Sequence, residues 1–236
     1  MRLRGSVALV TGAGKGIGRA IALRLSAEGA TVVLNARTQP DLEKVQSEIR
    51  RAGGSAMIVT ADITDDAATE KMFEQIDREF GKLDILINNA GKGTFAPVRD
   101  LRVADLDDMW NLNMRALFQC TKHALVRMEK QGKGAIVNIA SLAGRNAFVG
   151  GAGYAATKWA LIGFSRCLML EVREKNIRVV TVCPGSVDTG FSGGHDPDQA
   201  AKILAPEDVA EATIAALTLH QRALMSEIDI RPTNPR

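Results

Sequence analysis

Seven short apolar runs alternate with longer stretches of helical periodicity along this chain. The runs are Val7–Val10, Thr31–Leu34, Ala56–Thr60, Leu83–Ile87, Gly134–Ile139, Ile177–Val182 and Ser226–Ile230. Between them the 3.6-residue period marks helices over Ile17–Ala27, Asp41–Ala52, Asp66–Phe80, Asp105–Lys130, Gly153–Lys175 and Pro206–Leu219. Runs this short and this rich in Val and Ile suit strands buried on both faces. Gly29, Gly53-Gly54 and Gly81 follow the first three helices, where glycine commonly ends a helix. Such alternation builds βαβ units, whose parallel strands need crossover helices on the faces of the sheet. Right-handed crossovers then leave a doubly wound α/β fold of the Rossmann type as the expected architecture. No linker, composition break or repeat divides the chain, so one domain is expected over residues 1–236.

The first run ends in Thr11-Gly12-Ala13-Gly14-Lys15-Gly16-Ile17-Gly18, the connection from strand one to helix one. Glycines there let the backbone approach a ligand, and the positive end of the helix dipole favours a phosphate. The spacing of Gly12, Gly16 and Gly18 is Gly-x3-Gly-x-Gly rather than the commoner GxGxxG. In this position it still reads as a dinucleotide turn. An acid at the end of strand two would bind the ribose hydroxyls of NAD. The chain reads Asn35-Ala36-Arg37-Thr38 instead. Arg37 suits a 2′-phosphate, and Lys15 could reach the same group, so NADP(H) is expected in preference to NAD(H). The plainer alternative leaves both as solvated charges and admits either cofactor.

A second constellation carries chemistry. Tyr154, the sole tyrosine, stands four residues before Lys158, so the two share a helix face. A phenol ionises near ~10 and exchanges protons poorly at neutral pH, and a nearby ammonium is expected to draw that value down. Ser141 could hydrogen-bond a substrate oxygen alongside. Together they are equipment for moving a proton on and off a carbonyl or alcohol.

Bulk properties exclude several other classes. A net charge of +3 with no dense basic run gives no argument for nucleic acid. No apolar run approaches the ~20 residues of a membrane helix. Met1–Gly5 leads straight into a strand, so no signal peptide is expected. Cys120, Cys167 and Cys183 lack metal-ligand spacing and are expected as buried free thiols. No metal is expected, and a cytoplasmic location is.

Taken together these residues resemble the short-chain dehydrogenase/reductase family over nearly the whole chain, with likeness to its 3-oxoacyl-carrier-protein reductases. The glycine turn matches the family's TGxxxGxG. Asp62-Ile63 is similar to its adenine-contacting pair, and Asn88-Asn89-Ala90-Gly91 matches its NNAG segment. Asn113 matches its relay asparagine. Ser141 precedes Tyr154 by 13 residues, the family's usual separation, and Lys158 completes YxxxK. Pro184-Gly185, with Val187 and Thr189, resembles its nicotinamide loop. The resemblance implies hydride transfer between nicotinamide and a carbonyl or secondary alcohol. Ser141 would polarise the carbonyl and Tyr154 would donate the proton. Lys158 would tune Tyr154 and hold the ribose, and Asn113 would anchor a water that feeds the relay. It also implies a homodimer or homotetramer joined through the two long helices, where Leu161, Phe164, Leu168 and Leu170 exceed what one buried face needs.

Two departures bear on substrate. Gly190–Ala205 is only 16 residues, with Ser192-Gly193-Gly194 and Asp196-Pro197, and is expected to be a short mobile cover over an open site. Ser226–Thr233 lacks the glycine-rich ending of the carrier-protein reductases, although a 3-oxoacyl or 3-hydroxy-acid substrate stays open. The alternatives are an NAD-dependent dehydrogenase of a sugar, steroid or polyol, and a catalytically silent NADPH sensor. His123 reads as a helix-surface or packed histidine, and His195 as a loop residue. Phe148 and Val149 divide evenly between pocket and packing, and Trp159 reads as core or subunit interface. Asp105, Asp107 and Asp108 read as helix-start charges.

Overall fold

All seven expected strands join one parallel sheet in the computed structural model, which describes residues 1–191, 200 and 202–233. They are β1 (Val7–Thr11), β2 (Thr31–Ala36), β3 (Ser55–Thr60), β4 (Ile85–Asn88), β5 (Gly134–Ile139), β6 (Ile177–Pro184) and β7 (Glu227–Ile230). Their spatial order is β3-β2-β1-β4-β5-β6-β7, so the winding reverses between β1 and β4. In an open parallel sheet that reversal splays the two following loops apart and leaves a crevice at the carboxyl ends of the strands.

Helices α1 (Gly16–Ala27), α2 (Gln39–Arg51) and α3 (Asp66–Phe80) follow the first three strands. After β4 come α4 (Val103–Trp110) and α5 (Leu117–Gln131), after β5 comes α6 (Ala152–Val172), and α7 (Pro206–Leu217) precedes β7. Alternate strand residues face opposite ways. Ala8, Val10, Ile85 and Ile87 pack with Ile21, Leu42 and Ile214, whereas Leu9 and Leu86 pack with Phe73, Cys120, Met128 and Leu168. Two cores thus cover the two faces, and the fold is the doubly wound one. Local signals set the helix ends. The Asp65 carboxylate caps α3 by accepting from Ala67 N at 2.9 Å and Ala68 N at 3.1 Å, and Gly81 ends that helix at φ 65°.

Element ends fall within a residue or two of the sequence reading, except that α6 stops at Val172 with a 3-10 turn over Arg173–Lys175, and except for one division. The stretch expected as a single α-helix over Asp105–Lys130 is divided. A π turn over Asn111–Ala116 separates α4 from α5. Its hydrogen bonds step five residues instead of four, which rotates everything beyond it relative to α4. Asn113 lies inside that turn. A smaller correction concerns the thiols: Cys120 and Cys183 are buried, but Cys167 is exposed, on the solvent side of α6. Among the described residues no helix is long and apolar enough to cross a membrane.

Candidate active site

The crevice between β1 and β4 is floored by backbone held close by glycine. Gly12 and Gly16 adopt positive φ, at 66° and 54°. A Cβ at Gly18 would lie 2.3 Å from Gly12 O, and one at Gly16 would lie 3.0 Å from Thr189 Cβ. The turn therefore excludes side chains where a phosphate would rest, at the N-terminus of α1. Ile17, in the first turn of α1, is partly buried against the core, and Lys15 is exposed just before it. Thr11 stitches the turn to the next strand. Its Oγ1 donates to Ile87 O at 3.3 Å and accepts from Asn89 N at 3.0 Å and Ala90 N at 3.1 Å. Asn89 Nδ2 donates back to Thr11 O at 2.9 Å.

Arg37 follows β2, and Asp62 and Ile63 follow β3. Arg37 Nη1 lies 3.7 Å from the Asp62 carboxylate, with 76% of the Arg37 side chain exposed, so the guanidinium is available to a further anion. Asp62 Oδ1 accepts from Thr64 N and Oγ1 at 2.9 and 2.7 Å. Burial resists ionisation of Asp62, but the Thr64 hydrogen bonds and the Arg37 charge outweigh it and hold the carboxyl below its ordinary range. Ile63 is buried among the side chains under α3, so only its backbone is placed to meet a base.

Loops after β4, β5 and β6 complete the other half. Ser141 leads a short 3-10 turn over Leu142–Gly144, and its Oγ accepts from Ala143 N at 3.1 Å. On α6 the buried stripe runs Tyr154, Thr157, Lys158, Leu161, Ile162, Ser165 and Leu168. The phenol and the ammonium sit on the core face rather than on the surface. Lys158 Nζ donates to Ile139 O at 3.0 Å and lies 5.7 Å from the Tyr154 ring centroid. Gly91 admits them: a Cβ there would lie 3.2 Å from Asn113 Oδ1 and 3.8 Å from Lys158 Nζ. Asn113 Nδ2 donates to Lys92 O at 2.9 Å and Thr157 Oγ1 at 3.0 Å, and its Oδ1 accepts from Lys92 N at 2.9 Å. Its side chain thus ties the π turn to α6 and to the segment after β4.

The expected electrostatics are corrected in one respect. The Lys158 ammonium does not draw the Tyr154 phenol down. Burial pushes Tyr154 up to about 12, opposed by the Ser141 hydroxyl, and burial also pushes Lys158 down to about 8. Both groups are biased toward their neutral forms, because a dry site penalises either charge.

Pro184 ends β6 and Gly185 N donates to Ile230 O at 2.8 Å, joining this loop to β7. Val187 pairs with Leu204 in an isolated parallel bridge, and Thr189 leans on Gly16. The two halves of the crevice meet there. His195, Ser192-Gly193-Gly194 and Asp196-Pro197 lie outside the described residues. Elsewhere, His123 stacks on Phe73 at 5.0 Å, Asp105 and Asp108 pair with Arg102 and Lys92, and Trp159 is exposed rather than in the core. Among the described residues no cluster of His, Cys, Asp or Glu could hold a metal.

Comparison with known proteins agrees with this geometry. The family model for short chain dehydrogenases matches residues 6–200. The chain belongs to the short-chain dehydrogenase/reductase family. As a member it is an NAD(P)-dependent oxidoreductase. A sepiapterin reductase of Chlorobaculum tepidum is 36% identical over 235 residues, covering 97% of this chain and 96% of that one. A metagenomic short-chain oxidoreductase solved in complex with NADP is 35% identical, with a TM-score of 0.88 and 99% of each chain covered. A 7α-hydroxysteroid dehydrogenase solved with NADH and 7-oxo glycochenodeoxycholic acid is 30% identical, with a TM-score of 0.92, over 99% of this chain and 95% of that one.

Sequence reasoning singled out Asn88 but missed its buried partners, and it missed the ion pairs around Arg145 in this short-chain dehydrogenase. Asn88 Nδ2 donates to Asn138 Oδ1 at 2.9 Å and Thr121 Oγ1 at 3.1 Å, and Asn138 Nδ2 donates to Ser165 Oγ at 2.8 Å. This buried polar chain fixes β4, β5, α5 and α6 to one another beneath the site. Its sequence signal is an asparagine inside each of two otherwise apolar strands. Arg145, just past Ser141, forms ion pairs with Glu227, and its Nε lies 2.7 Å from the Asp229 carboxylate. Arg166 Nε reaches Glu227 Oε1 at 2.6 Å. The alternating acids of Ser226–Ile230 were the available signal.

Proposed function

We propose that this enzyme reduces a carbonyl, or oxidises the matching secondary alcohol, with NADP(H). One observation carries the reading: Tyr154 and Lys158 are both buried on the face of α6 that turns toward Ser141 and Gly91. A buried phenol and ammonium with no structural ion pair between them have a chemical explanation and no packing one. The residues fit the dinucleotide. Gly12, Gly16, Gly18 and the first turn of α1 would hold its phosphates, and Asp62, Ile63, Asn89, Ala90 and Gly91 would line its adenosine and ribose. Pro184, Gly185, Val187 and Thr189 would hold the nicotinamide end.

When bound, the nicotinamide supplies or accepts the hydride. Tyr154 gives its proton to the oxygen that gains charge in the reduction. Ser141 donates a hydrogen bond to that same oxygen, and two pre-aimed donors meet the developing charge. Lys158 would hold the ribose hydroxyls and keep positive charge behind Tyr154. Asn113 anchors the water that returns protons from solvent. Its side chain is engaged by Lys92 and Thr157, so we assign that water to its backbone.

NADP(H) preference rests on Arg37, whose exposed side chain follows β2 at the place where an acid would serve NAD, and on the exposed Lys15 of the glycine turn. The NADP found in a relative 35% identical supports it. Arg37→Asp is expected to raise KM for NADPH at least tenfold and to lower that for NADH. The decisive assay follows NADPH oxidation with a panel of diketones, 3-oxo esters, aldehydes and quinones. Tyr154→Phe should abolish turnover and keep NADPH binding. Retained turnover in that variant overturns the mechanism.

We also infer a homodimer or homotetramer in a reducing cytoplasm. Phe118 is exposed on α5 with its ring against Phe164 of α6, and Trp159 and Leu170 are exposed on the same pair of helices. These apolar groups fit a second copy of the chain, and the unpaired thiols fit a reducing compartment. Sedimentation at micromolar concentration should find no monomer.

A further inference from the structure

Only ten of the 236 side chains are aromatic, yet four of them meet at the catalytic phenol. Phe95 comes from the loop after β4, Phe148 from the loop after the Ser141 turn, and Phe191 from the loop after β6. The Phe95 ring stands edge-on to Tyr154, with centroids 5.4 Å apart and planes at 72°. Phe148 tilts against Phe95 at 5.9 Å and 52°, and Phe191 against Tyr154 at 5.9 Å and 54°. Tyr154 is buried, but Phe95, Phe148 and Phe191 are 43%, 46% and 45% exposed.

The backbone is shaped to let these rings converge. A Cβ at Gly93 would lie 2.9 Å from Phe95 Cζ, 3.0 Å from Phe191 Cε1 and 3.2 Å from Tyr154 Cδ2. A Cβ at Gly151 would lie 2.3 Å from Phe148 Cζ. Ala96 N donates to Gly150 O at 3.0 Å, which fixes the Phe95 loop against the Phe148 loop. Three loops from three different strands therefore present stiff, half-open phenyl faces beside one reactive hydroxyl.

We propose that Phe95, Phe148 and Phe191 bind the non-reacting part of the substrate and select a carbonyl borne next to a planar aromatic or heteroaromatic ring. The inference rests on the carbonyl-reductase reading and names its substrate class. Steeply inclined rings offer edge-to-face and offset contacts to another flat ring, a gain beyond simple area burial that an acyclic chain does not collect. Phenylalanine also has few rotamers to lose, so the wall is preorganised. Ring stacking places the adjoining carbonyl within reach of Tyr154 and Ser141.

The test compares 1-phenyl-1,2-propanedione with 2,3-hexanedione as NADPH-dependent substrates. The wild type should favour the aryl diketone in kcat/KM by about tenfold or more, the sum of a few ring contacts. Phe95→Leu and Phe191→Leu, which keep apolar bulk and remove a ring, should each lower that ratio about threefold or more. Phe95→Tyr should restore it. Equal efficiency for both diketones, or a ratio unmoved by both leucine variants, overturns the proposal. Binding is read separately by saturation-transfer NMR on Tyr154→Phe with NADPH, which keeps the ring and removes the proton donor. Aryl signals that weaken on adding Phe95→Leu support the cage even if the wild type turns over neither diketone, an outcome that would count against the reductase reading alone. Absence of aryl binding there overturns the cage itself.

Discussion

Lys158 and Arg145 stand on either side of the Ser141 turn, and both hold positive charge away from water. Their surroundings are opposite. Lys158 is almost wholly buried, with a backbone carbonyl as its hydrogen-bond acceptor, and burial pushes it down to about 8. Arg145 faces two carboxylates, and its hydrogen bond to Glu227 leads the effects that raise it, against the cost of burial. Glu227 is held down to about 2, first by the Arg166 hydrogen bonds and further by Arg145. A cation without a carboxylate weakens the fold and can titrate in the working range. A cation with two of them can only hold strands together. Proximity to the catalytic serine does not separate the two roles, whereas the partners do.

Replacing each cation should break the comparison in a different direction. Lys158→Met should lower kcat/KM by about 10²–10⁴, the range of a lost proton-transfer group. The same change should stabilise the ligand-free protein by about 2 kcal/mol at pH 7, since the desolvation penalty exceeds the one hydrogen bond lost. The folded value lies below the unfolded one, so the wild type carries this penalty fully below about pH 8 and sheds it as pH rises toward the unfolded lysine value. The stability gap in denaturant titrations should close over that window.

Glu227→Gln should act the other way and cost about 2 kcal/mol at neutral pH, because Arg145 and Arg166 lose a shared carboxylate. The folded Glu227 value is depressed, so its contribution is present above the ordinary glutamate range and disappears as pH falls through about 2. Wild type and variant should converge in acid unfolding experiments, with the pH profile of catalysis unmoved. In turnover, kcat/KM for reduction should decline above about pH 8 as Lys158 loses its proton, by up to tenfold per pH unit. The smallest effect belongs to Arg166→Gln. Its side chain is 59% exposed, so solvent screening leaves only a slight loss of stability, the least of the set in denaturant titrations.

Much of this architecture was legible because strand runs and glycine stops repeat with little ambiguity. Val7–Thr11 and Gly134–Ile139 carry no competing helical period, and Gly81 sits where a left-handed cap is needed. Tyr154 and Lys158 were legible as a pair, because four-residue spacing fixes a shared helix face. Their burial was not, since Lys158 becomes buried only when α6 packs under β5. The π turn left no mark in the periodicity of Asp105–Lys130, for one extra residue in a turn disturbs a 3.6 period too little to detect. Arg145 and Glu227 are 82 residues apart, and no local pattern links partners joined across a sheet edge. The convergence of Phe95, Phe148 and Phe191 was hidden for the same reason, with only Phe148 suspected.

The winding reversal at β1 and β4 also bears on how the molecule assembles. Ala8 pairs with Val32 on one side and with Ile85 on the other. Closing the second, longer chain loop costs about 1 kcal/mol more in entropy than the first. The seam between β1 and β4 is therefore the expensive step of sheet formation, and Thr11, Asn89 and Ala90 are the stitches across it. A dinucleotide bound in that crevice grips both edges of the seam and binds only the closed form. It should slow unfolding more than it speeds folding, because it holds together the two strands whose separation opens the sheet.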